Sequence, residues 1–206
     1  HLSRKRAGDV FAQAMDARTQ AAPGTGIILG YIGPDGVKIL TSGSAGTARP
    51  LDQHTRFEVG SITKTFTANL LAQAVLAGSV KLTDPVAKYL PTNVHVPSRG
   101  GKQITLLNLA EQHSGLPRMP DNMRDVSGHA PSADYGVSAM YAFITAYTLT
   151  RDPGSKYEYS NLGIGLLGQA LANQAHTSYA ALVRRKIFAP LGMNESTVAT
   201  AAEHDA

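Results

Sequence analysis

Apolar residues near the start of the chain recur at intervals of three and four, as they do on one face of a helix: Val10, Phe11, Ala14 and Met15. This spacing predicts an amphipathic helix that ends near Pro23 and Gly24. Two apolar runs follow at residues 26–32 and 37–41, and a Gly-Pro-Asp-Gly segment lies between them. Apolar runs on both sides of such a turn predict a β-hairpin.

A long helical pattern begins at Ser61 and continues to Gly78, a residue type at which helices often end. Its apolar residues cover most of the helix circumference: Phe66, Leu70, Leu71, Val75 and Leu76. A helix that is apolar on most sides is usually buried, so we predict a central, buried helix here. A lysine in the first turn of such a helix, here Lys64, must be paired or uncharged.

Residues 80–180 contain several short helical patterns, separated by turns and loops. A threonine, Thr105, is placed to cap the first of its helices. The helices predicted in and after this region cover residues 104–110, 137–149, 162–175 and 179–187. Residues 118–135 are rich in Met, Pro, Asp, Ser and Gly, and they predict a long loop of the kind that often carries function.

Composition and charge narrow the class of protein. The 206 residues are 43% hydrophobic and 17% charged, which is typical of a globular protein. The net charge of +4 is mild, and its cations are scattered apart from clusters at residues 4–6 and 184–186, so we expect no nucleic-acid partner. No apolar run approaches the roughly 20 residues that span a bilayer, so we expect no transmembrane segment.

Cysteine and histidine usage excludes two kinds of site. The chain has no cysteine, which rules out disulfides and thiolate metal ligands. Its seven histidines lack the spacing of a metal site, so we expect no metal. The chain starts at His1 rather than Met, and no apolar signal segment follows. If the protein is exported, we expect that its signal has already been removed.

The candidate chemistry lies at the start of the long helix, in Gly-Ser-Ile-Thr-Lys at residues 60–64. Residues three apart share one face of a helix, so the Ser61 hydroxyl and the Lys64 amine point the same way. Unpaired backbone N–H groups at a helix N-terminus favour developing negative charge. A serine needs a neighbouring base to become a nucleophile, and Ser-x-x-Lys is the arrangement used by penicillin-recognising enzymes.

Several further motifs follow this one in a fixed order: Leu-Thr-Asp-Pro-Val-Ala-Lys-Tyr-Leu-Pro at 82–91, His-Ser-Gly-Leu-Pro at 113–117, Pro-Gly-Ser-Lys-Tyr-Glu-Tyr-Ser-Asn at 153–161 and Pro-Leu-Gly-Met at 190–193. With this set, the sequence resembles the class C β-lactamase family of serine hydrolases. That family includes D-alanyl-D-alanine carboxypeptidases, endopeptidases, D-aminopeptidases and esterases.

The resemblance implies a fold and a domain assignment. The fold would be α/β (α+β) and β-lactamase/transpeptidase-like, with a mostly antiparallel sheet, flanking helices and an all-helical region at about residues 80–180. Residues 1–206 would be the N-terminal portion of a single hydrolase domain of this type. The active site would lie in the cleft between the sheet and the helical region.

The resemblance also implies the roles of four residues. Ser61 would be the acylated nucleophile, Lys64 would take or relay its proton, and Tyr159 would be the partner base and acid. Asn161 would hydrogen-bond the substrate amide and help to hold Lys64. From the residues alone, Tyr159 could instead be a packing aromatic, and Asn161 could be the N-cap of the following helix. No cofactor is implied.

The chain departs from the family pattern in two places. It has no Lys-Thr-Gly or Lys-Ser-Gly, and its His-Ser-Gly at 113–115 precedes Tyr159, so we interpret that segment as a structural turn. We therefore expect the C-terminal strands to be absent from this chain and a complementing C-terminal segment to carry the Lys-Thr-Gly or His-x-Gly strand. Arg118 and Met119 occupy the region where class C β-lactamases place a substrate-contacting amide.

The expected function is hydrolysis of amide bonds in D-alanyl peptides or β-lactams through an acyl-enzyme at Ser61. The partner would be a small-molecule or peptidoglycan-peptide substrate, and the protein would be periplasmic or secreted. Two alternatives stay open at this point: an esterase of the same family, and a penicillin-binding module that does not turn over.

Overall fold

The computed structural model describes residues 4–34, 36–44, 46, 50–123 and 135–198. The predicted loop at 118–135 therefore falls largely outside the described residues. The chain divides into two compact units, His1–Glu58 and Val59–Ala206, which are described separately below. That residues 1–206 belong to one larger hydrolase domain stays a prediction.

The first unit is a helix followed by a hairpin, as predicted. Helix α1 covers Arg4–Ala21, and strands β1 (Gly26–Gly33) and β2 (Gly36–Gly43) pair antiparallel, with Gly33 opposite Gly36. Helix α1 packs against β2, where the buried Ser42 hydroxyl donates a hydrogen bond to Asp16 Oδ1 at 2.6 Å. This bond satisfies a polar group that would otherwise be costly to bury.

The second unit contains the helices on which the candidate site is built. Its elements, in chain order, are a 3₁₀ turn at Gly60–Ile62, α2 (Thr63–Leu76), a 3₁₀ turn at Val86–Tyr89, β3 (Ser98–Arg99), β4 (Lys102–Gln103), α3 (Leu106–Ala110), α4 (Val137–Ala146), α5 (Asn161–Gln174), α6 (Tyr179–Val183) and a π-helical turn at Arg184–Phe188. The small β3–β4 hairpin interrupts the predicted all-helical region, and its two-residue strands are too short to leave a periodic pattern in the sequence.

Helix α3 begins where the sequence predicts its cap. The Thr105 hydroxyl accepts a hydrogen bond from the Asn108 backbone N–H at 3.2 Å, and the Asn108 side chain accepts one from the Thr105 N–H at 3.1 Å. Together these two bonds form a reciprocal capping box that satisfies two otherwise free donors. The apolar residues of α3 can therefore be buried without leaving its first turn unpaired.

The central helix of this unit is α5. Nine of its fourteen residues are buried, and Leu166 and Leu167 are completely enclosed. Helices α2, α3, α4 and α6 all pack against it. Burial on most sides explains why its sequence is apolar with little periodicity.

Helix α2 is not the central, buried helix that the sequence predicts. It buries one face, Thr67, Leu70 and Leu71, whereas Leu76 is 88% exposed. Apolar residues on every face of a helix allow it to be buried on all sides. The elements that pack against the helix decide how much of its surface is buried. Within the described residues of this unit, the neighbours of α2 cover one side only. Lys64 is likewise only half-buried, so the prediction that burial forces this lysine to be paired or uncharged is also wrong.

Truncation of Leu166 to alanine should lower the free energy of unfolding by about 2–5 kcal/mol, because it leaves a cavity in a fully enclosed site. Leu76→Ala is the matched control, and it should change stability by less than about 0.5 kcal/mol because that side chain is exposed. Urea unfolding of both variants measures the difference. Equal destabilisation by the two substitutions would mean that α5 is not the centre of this core.

Candidate active site

The candidate nucleophile, Ser61, lies in the 3₁₀ turn that leads directly into α2. The preceding residue, Gly60, has a φ of 51°, a left-handed conformation that glycine adopts without steric penalty. This turn leaves the Ser61 side chain exposed at the N-terminus of the helix. The hydroxyl is therefore open to solvent at the N-terminal end of a helix, where the helix dipole favours negative charge.

Two side chains approach the Ser61 hydroxyl. Lys64 Nζ donates a hydrogen bond to Ser61 Oγ at 3.0 Å, as the one-turn spacing predicts. The Tyr159 hydroxyl, 98 residues away in sequence, donates a second bond to the same oxygen at 2.7 Å. Lys64 Nζ also lies 4.8 Å from the centroid of the Tyr159 ring. One hydroxyl thus contacts both groups that could exchange its proton.

The surroundings of Tyr159 favour its ionised form. Its hydrogen bonding with Lys64, and then with Ser61, lowers the pKa of the phenol below its ordinary value of 10.0. The positive charges of Lys64 and Arg118 act in the same direction, while partial burial opposes them. Nearby cations stabilise a phenolate, so the direction of this shift suits a tyrosine that accepts a proton.

The segment that carries Tyr159 is held by Gln112, which sequence analysis did not identify. The Glu158 N–H donates to the Gln112 carbonyl at 2.7 Å, and the Ser160 N–H donates to Gln112 Oε1 at 2.6 Å. One buried residue therefore anchors both neighbours of the tyrosine. Gln112 has a positive φ of 64°, which is uncommon for a residue other than glycine and marks a position set by its surroundings.

Ser160, and not Asn161, is the N-cap of α5. The Ser160 hydroxyl accepts a hydrogen bond from the Gly163 N–H at 2.8 Å and donates one to the Pro117 carbonyl at 2.6 Å. The alternative interpretation of Asn161 as the cap is therefore wrong, and Asn161 is the first residue of the helix. Serine caps through its side-chain oxygen when its backbone is extended, as it is here.

Asn161 lies beside the turn that follows α3. Its backbone N–H donates to the Arg118 carbonyl at 3.0 Å, and its Nδ2 contacts Met119 Sδ at 3.2 Å. Its Oδ1 is buried and has no hydrogen-bond partner among the described residues. The side chain makes no hydrogen bond to Lys64 in the described part of the chain, so the predicted support of Lys64 by Asn161 stays a prediction.

The His-Ser-Gly segment at 113–115 has the geometry of a turn. Ser114 is buried, and its hydroxyl accepts a hydrogen bond from the Leu116 N–H at 3.2 Å. Gly115 has a φ of 82°, and a Cβ there would lie 3.2 Å from a methyl group of Leu149. This packing and backbone conformation require glycine, in agreement with the interpretation of the segment as structural.

Arg118 is a further charged residue beside Tyr159. From the sequence it was identified only as a departure from the family pattern. In the structure its guanidinium carbon lies 4.9 Å from the centroid of the Tyr159 ring. A cation over a tyrosine ring is attracted by the ring and also acts on the charge of the phenol oxygen.

The described residues contain neither a membrane-spanning helix nor a metal-binding cluster. No described helix is both long and apolar enough to cross a bilayer. Among the same residues, no three or more His, Asp or Glu side chains cluster so that they could hold a metal ion.

His113, which directly precedes Ser114, contacts the Glu111 carbonyl through Nδ1 at 2.7 Å and packs edge-on against Tyr157.

Comparisons with known proteins agree with the motif pattern. The family model named Beta-lactamase matches residues 9–206. The D-alanyl-D-alanine-carboxypeptidase/endopeptidase AmpH of Escherichia coli (strain K12) is 36% identical over 140 residues, which are 68% of this chain and 36% of that protein. A β-lactamase of the same strain is 31% identical over 183 residues, 87% of this chain and 44% of that protein.

Solved structures confirm the predicted fold. A β-lactamase/D-alanine carboxypeptidase from Yersinia pestis superimposes with a TM-score of 0.79 at 32% identity, over 95% of this chain and 57% of that one. A D-stereospecific amidohydrolase from Streptomyces sp. gives a TM-score of 0.69 at 28% identity, over 90% of this chain and 55% of that one. The chain thus spans about half or less of the length of the proteins that it matches.

Proposed function

Because the chain belongs to the β-lactamase family, we propose that it acts as a serine hydrolase that is acylated at Ser61. The observation that carries the proposal is the pair of hydrogen bonds from Lys64 Nζ and the Tyr159 hydroxyl to Ser61 Oγ, at 3.0 and 2.7 Å. An unassisted serine hydroxyl is a poor nucleophile, and a base within hydrogen-bond distance is the requirement for activating it.

Acylation begins when Ser61 loses its proton to whichever neighbour is unprotonated, the Tyr159 phenolate or the Lys64 amine. The Ser61 oxygen attacks the carbonyl carbon of the substrate amide and forms a tetrahedral oxyanion. The C–N bond then breaks, the nitrogen leaves with the proton, and an ester to Ser61 remains. The positive end of the α2 helix dipole favours the negative charge of the oxyanion.

Deacylation uses the same groups in reverse. A water molecule donates its proton to the base that Ser61 used, and the resulting hydroxide attacks the ester carbonyl. The second tetrahedral oxyanion collapses, the proton returns to Ser61 Oγ, and the acid product leaves. The groups that act as base in one step act as acid in the other, which is why a pair that can share one proton suits this reaction.

We propose that the substrates are amides of D-alanyl peptides or β-lactams. The relatives support this class, since they are named as a D-alanyl-D-alanine-carboxypeptidase/endopeptidase, a β-lactamase and a D-stereospecific amidohydrolase. Asn161, two residues after Tyr159, would hydrogen-bond the substrate amide. Because cell-wall peptides lie outside the cytoplasm, the proposal includes a periplasmic or secreted location.

A substrate panel tests this proposal. The chain is incubated with a fluorescent penicillin, a D-Ala-D-Ala peptide and a p-nitrophenyl ester, and both covalent labelling and product release are followed. We expect penicillin to label Ser61. We also expect at least one of the amide substrates to be hydrolysed and its product to be released. Labelling without release would identify a penicillin-binding module, and turnover of the ester alone would identify an esterase. Absence of labelling by every substrate would refute the proposal.

A further inference from the structure

We propose that Arg118 is a positioning residue that acts through Tyr159, by holding a permanent positive charge over the ring of the side chain that exchanges a proton with Ser61. This inference rests on the proposed function, because it assigns Arg118 a part in the same proton transfer. Among the described residues, Lys64 and Tyr159 form the hydrogen bonds to the Ser61 hydroxyl, whereas Arg118 lies over the Tyr159 ring, so its effect must pass through the tyrosine.

The geometry places two cations on one aromatic ring. The guanidinium carbon of Arg118 lies 4.9 Å from the Tyr159 ring centroid, and Lys64 Nζ lies 4.8 Å from the same point. Lys64 comes from the first turn of α2, whereas Arg118 comes from the turn after α3. Two separate parts of the chain therefore bring positive charge to the tyrosine whose hydroxyl bonds to Ser61.

The backbone of Arg118 is tied to the segment that carries Tyr159. The Arg118 carbonyl accepts hydrogen bonds from the N–H groups of Asn161 and Leu162, at 3.0 and 3.4 Å. The preceding carbonyl, of Pro117, accepts the bond from the Ser160 hydroxyl. These three bonds join the turn to the first residues of α5, so the guanidinium and the tyrosine ring are carried by one connected piece of backbone.

The charge of Arg118 is not neutralised within the described part of the chain. No described carboxylate forms an ion pair with it, and Glu158, which adjoins Tyr159, pairs with Arg151 at 2.5 Å. The groups that act on the Tyr159 hydroxyl are Lys64 and Ser61 from the start of α2 and Arg118 from the turn. All three favour the phenolate, and the pKa of Tyr159 is lowered accordingly.

The sign of the effect follows from the charge. A guanidinium stays protonated at every working pH, so it favours the phenolate throughout. Removing it must raise the pKa of Tyr159 and reduce the phenolate population on the acidic side of that pKa. The rate of Ser61 acylation should then fall at low pH and approach that of the parent protein at high pH.

The first experiment compares Arg118→Gln with Arg118→Lys in the full chain. Acylation by the fluorescent penicillin is followed across the pH range. For Arg118→Gln we expect the acidic limb of the pH–rate profile to move to higher pH. Acylation rates on that limb should be about three- to tenfold lower. This is the effect expected from losing one charge about 5 Å from the phenol in a water-like medium. Arg118→Lys should retain most of the parent profile. Arg184→Gln, which alters an exposed arginine in the π-helical turn, is the control that should change nothing.

A second measurement separates this inference from the proposed function. The ionisation of Tyr159 is followed by phenolate absorbance, as the difference between each protein and its Tyr159→Phe counterpart, which needs no turnover. We expect Arg118→Gln to titrate at higher pH than the parent. An unchanged titration, or a loss confined to KM for anionic substrates, would overturn the role of Arg118. If Ser61 is never acylated, the proposed function fails, while the absorbance titration still decides the matter for Arg118.

Discussion

Ser61→Ala should abolish covalent labelling of the chain by a penicillin and lower turnover by up to about 10⁶-fold, as removal of a nucleophile does in other serine hydrolases. The reason is structural. Ser61 Oγ receives both polar contacts of the site, from Lys64 and from Tyr159, and no other hydroxyl in the described residues is bonded to both. Without that oxygen no acyl-enzyme can form, so the base and the acid have no proton to exchange.

Intact-mass measurement and peptide mapping after incubation with penicillin provide the test. Ser79→Ala is the matched control, because Ser79 is an exposed serine just beyond the other end of α2. We expect the control to be labelled like the parent and the label to map to Ser61. Stoichiometric labelling of the Ser61→Ala variant would remove this residue from the mechanism.

Lys64→Ala and Tyr159→Phe should each slow acylation by about 10²–10⁴-fold, the usual contribution of general acid–base catalysis. Both side chains are only half-buried, so neither substitution should unfold the protein. The two residues contact the same oxygen and each other, and groups that act as one unit lose activity non-additively. The double variant should therefore be barely slower than the slower of the single variants.

Two substitutions control for nonspecific effects. Lys81→Ala removes an exposed lysine outside the site, and Tyr157→Phe alters an exposed tyrosine two residues from Tyr159 that packs against His113. Both should acylate at the rate of the parent. The single-turnover rate with the fluorescent penicillin is the quantity to measure. If the two losses multiply fully in the double variant, Lys64 and Tyr159 do not share one proton.

Local features of the site were predictable because they depend on backbone geometry alone. The one-turn spacing of Ser61 and Lys64 brings their side chains together in any helix, and the structure gives a 3.0 Å contact. The Thr105 cap likewise depends on residues three apart. The hairpin at 26–43 follows from two apolar runs around a turn, and its register pairs Gly33 with Gly36 as the turn requires.

Burial was less predictable, because it depends on neighbours as well as on sequence. Helices α2 and α5 are both largely apolar, yet α5 is enclosed and α2 is covered on one side in the described residues. The sequence predicts which surfaces can lose water without penalty. The sequence does not say how many helices and strands pack against those surfaces. That number decides how far Lys64 is buried.

By itself, then, the sequence determined the hairpin, the helix that begins beside Ser61, the contact of Ser61 with Lys64 and the family pattern that singles out Tyr159. Only the tertiary structure decided which groups surround that tyrosine. Gln112 anchors both of its neighbours, and Arg118 lies over its ring. The contacts of Gln112 and Arg118 join the residues after α3 to a segment about 40 residues further along the chain. The packing of α3 against α5 brings these two segments together. Local periodicity in the sequence does not encode a contact between residues so far apart.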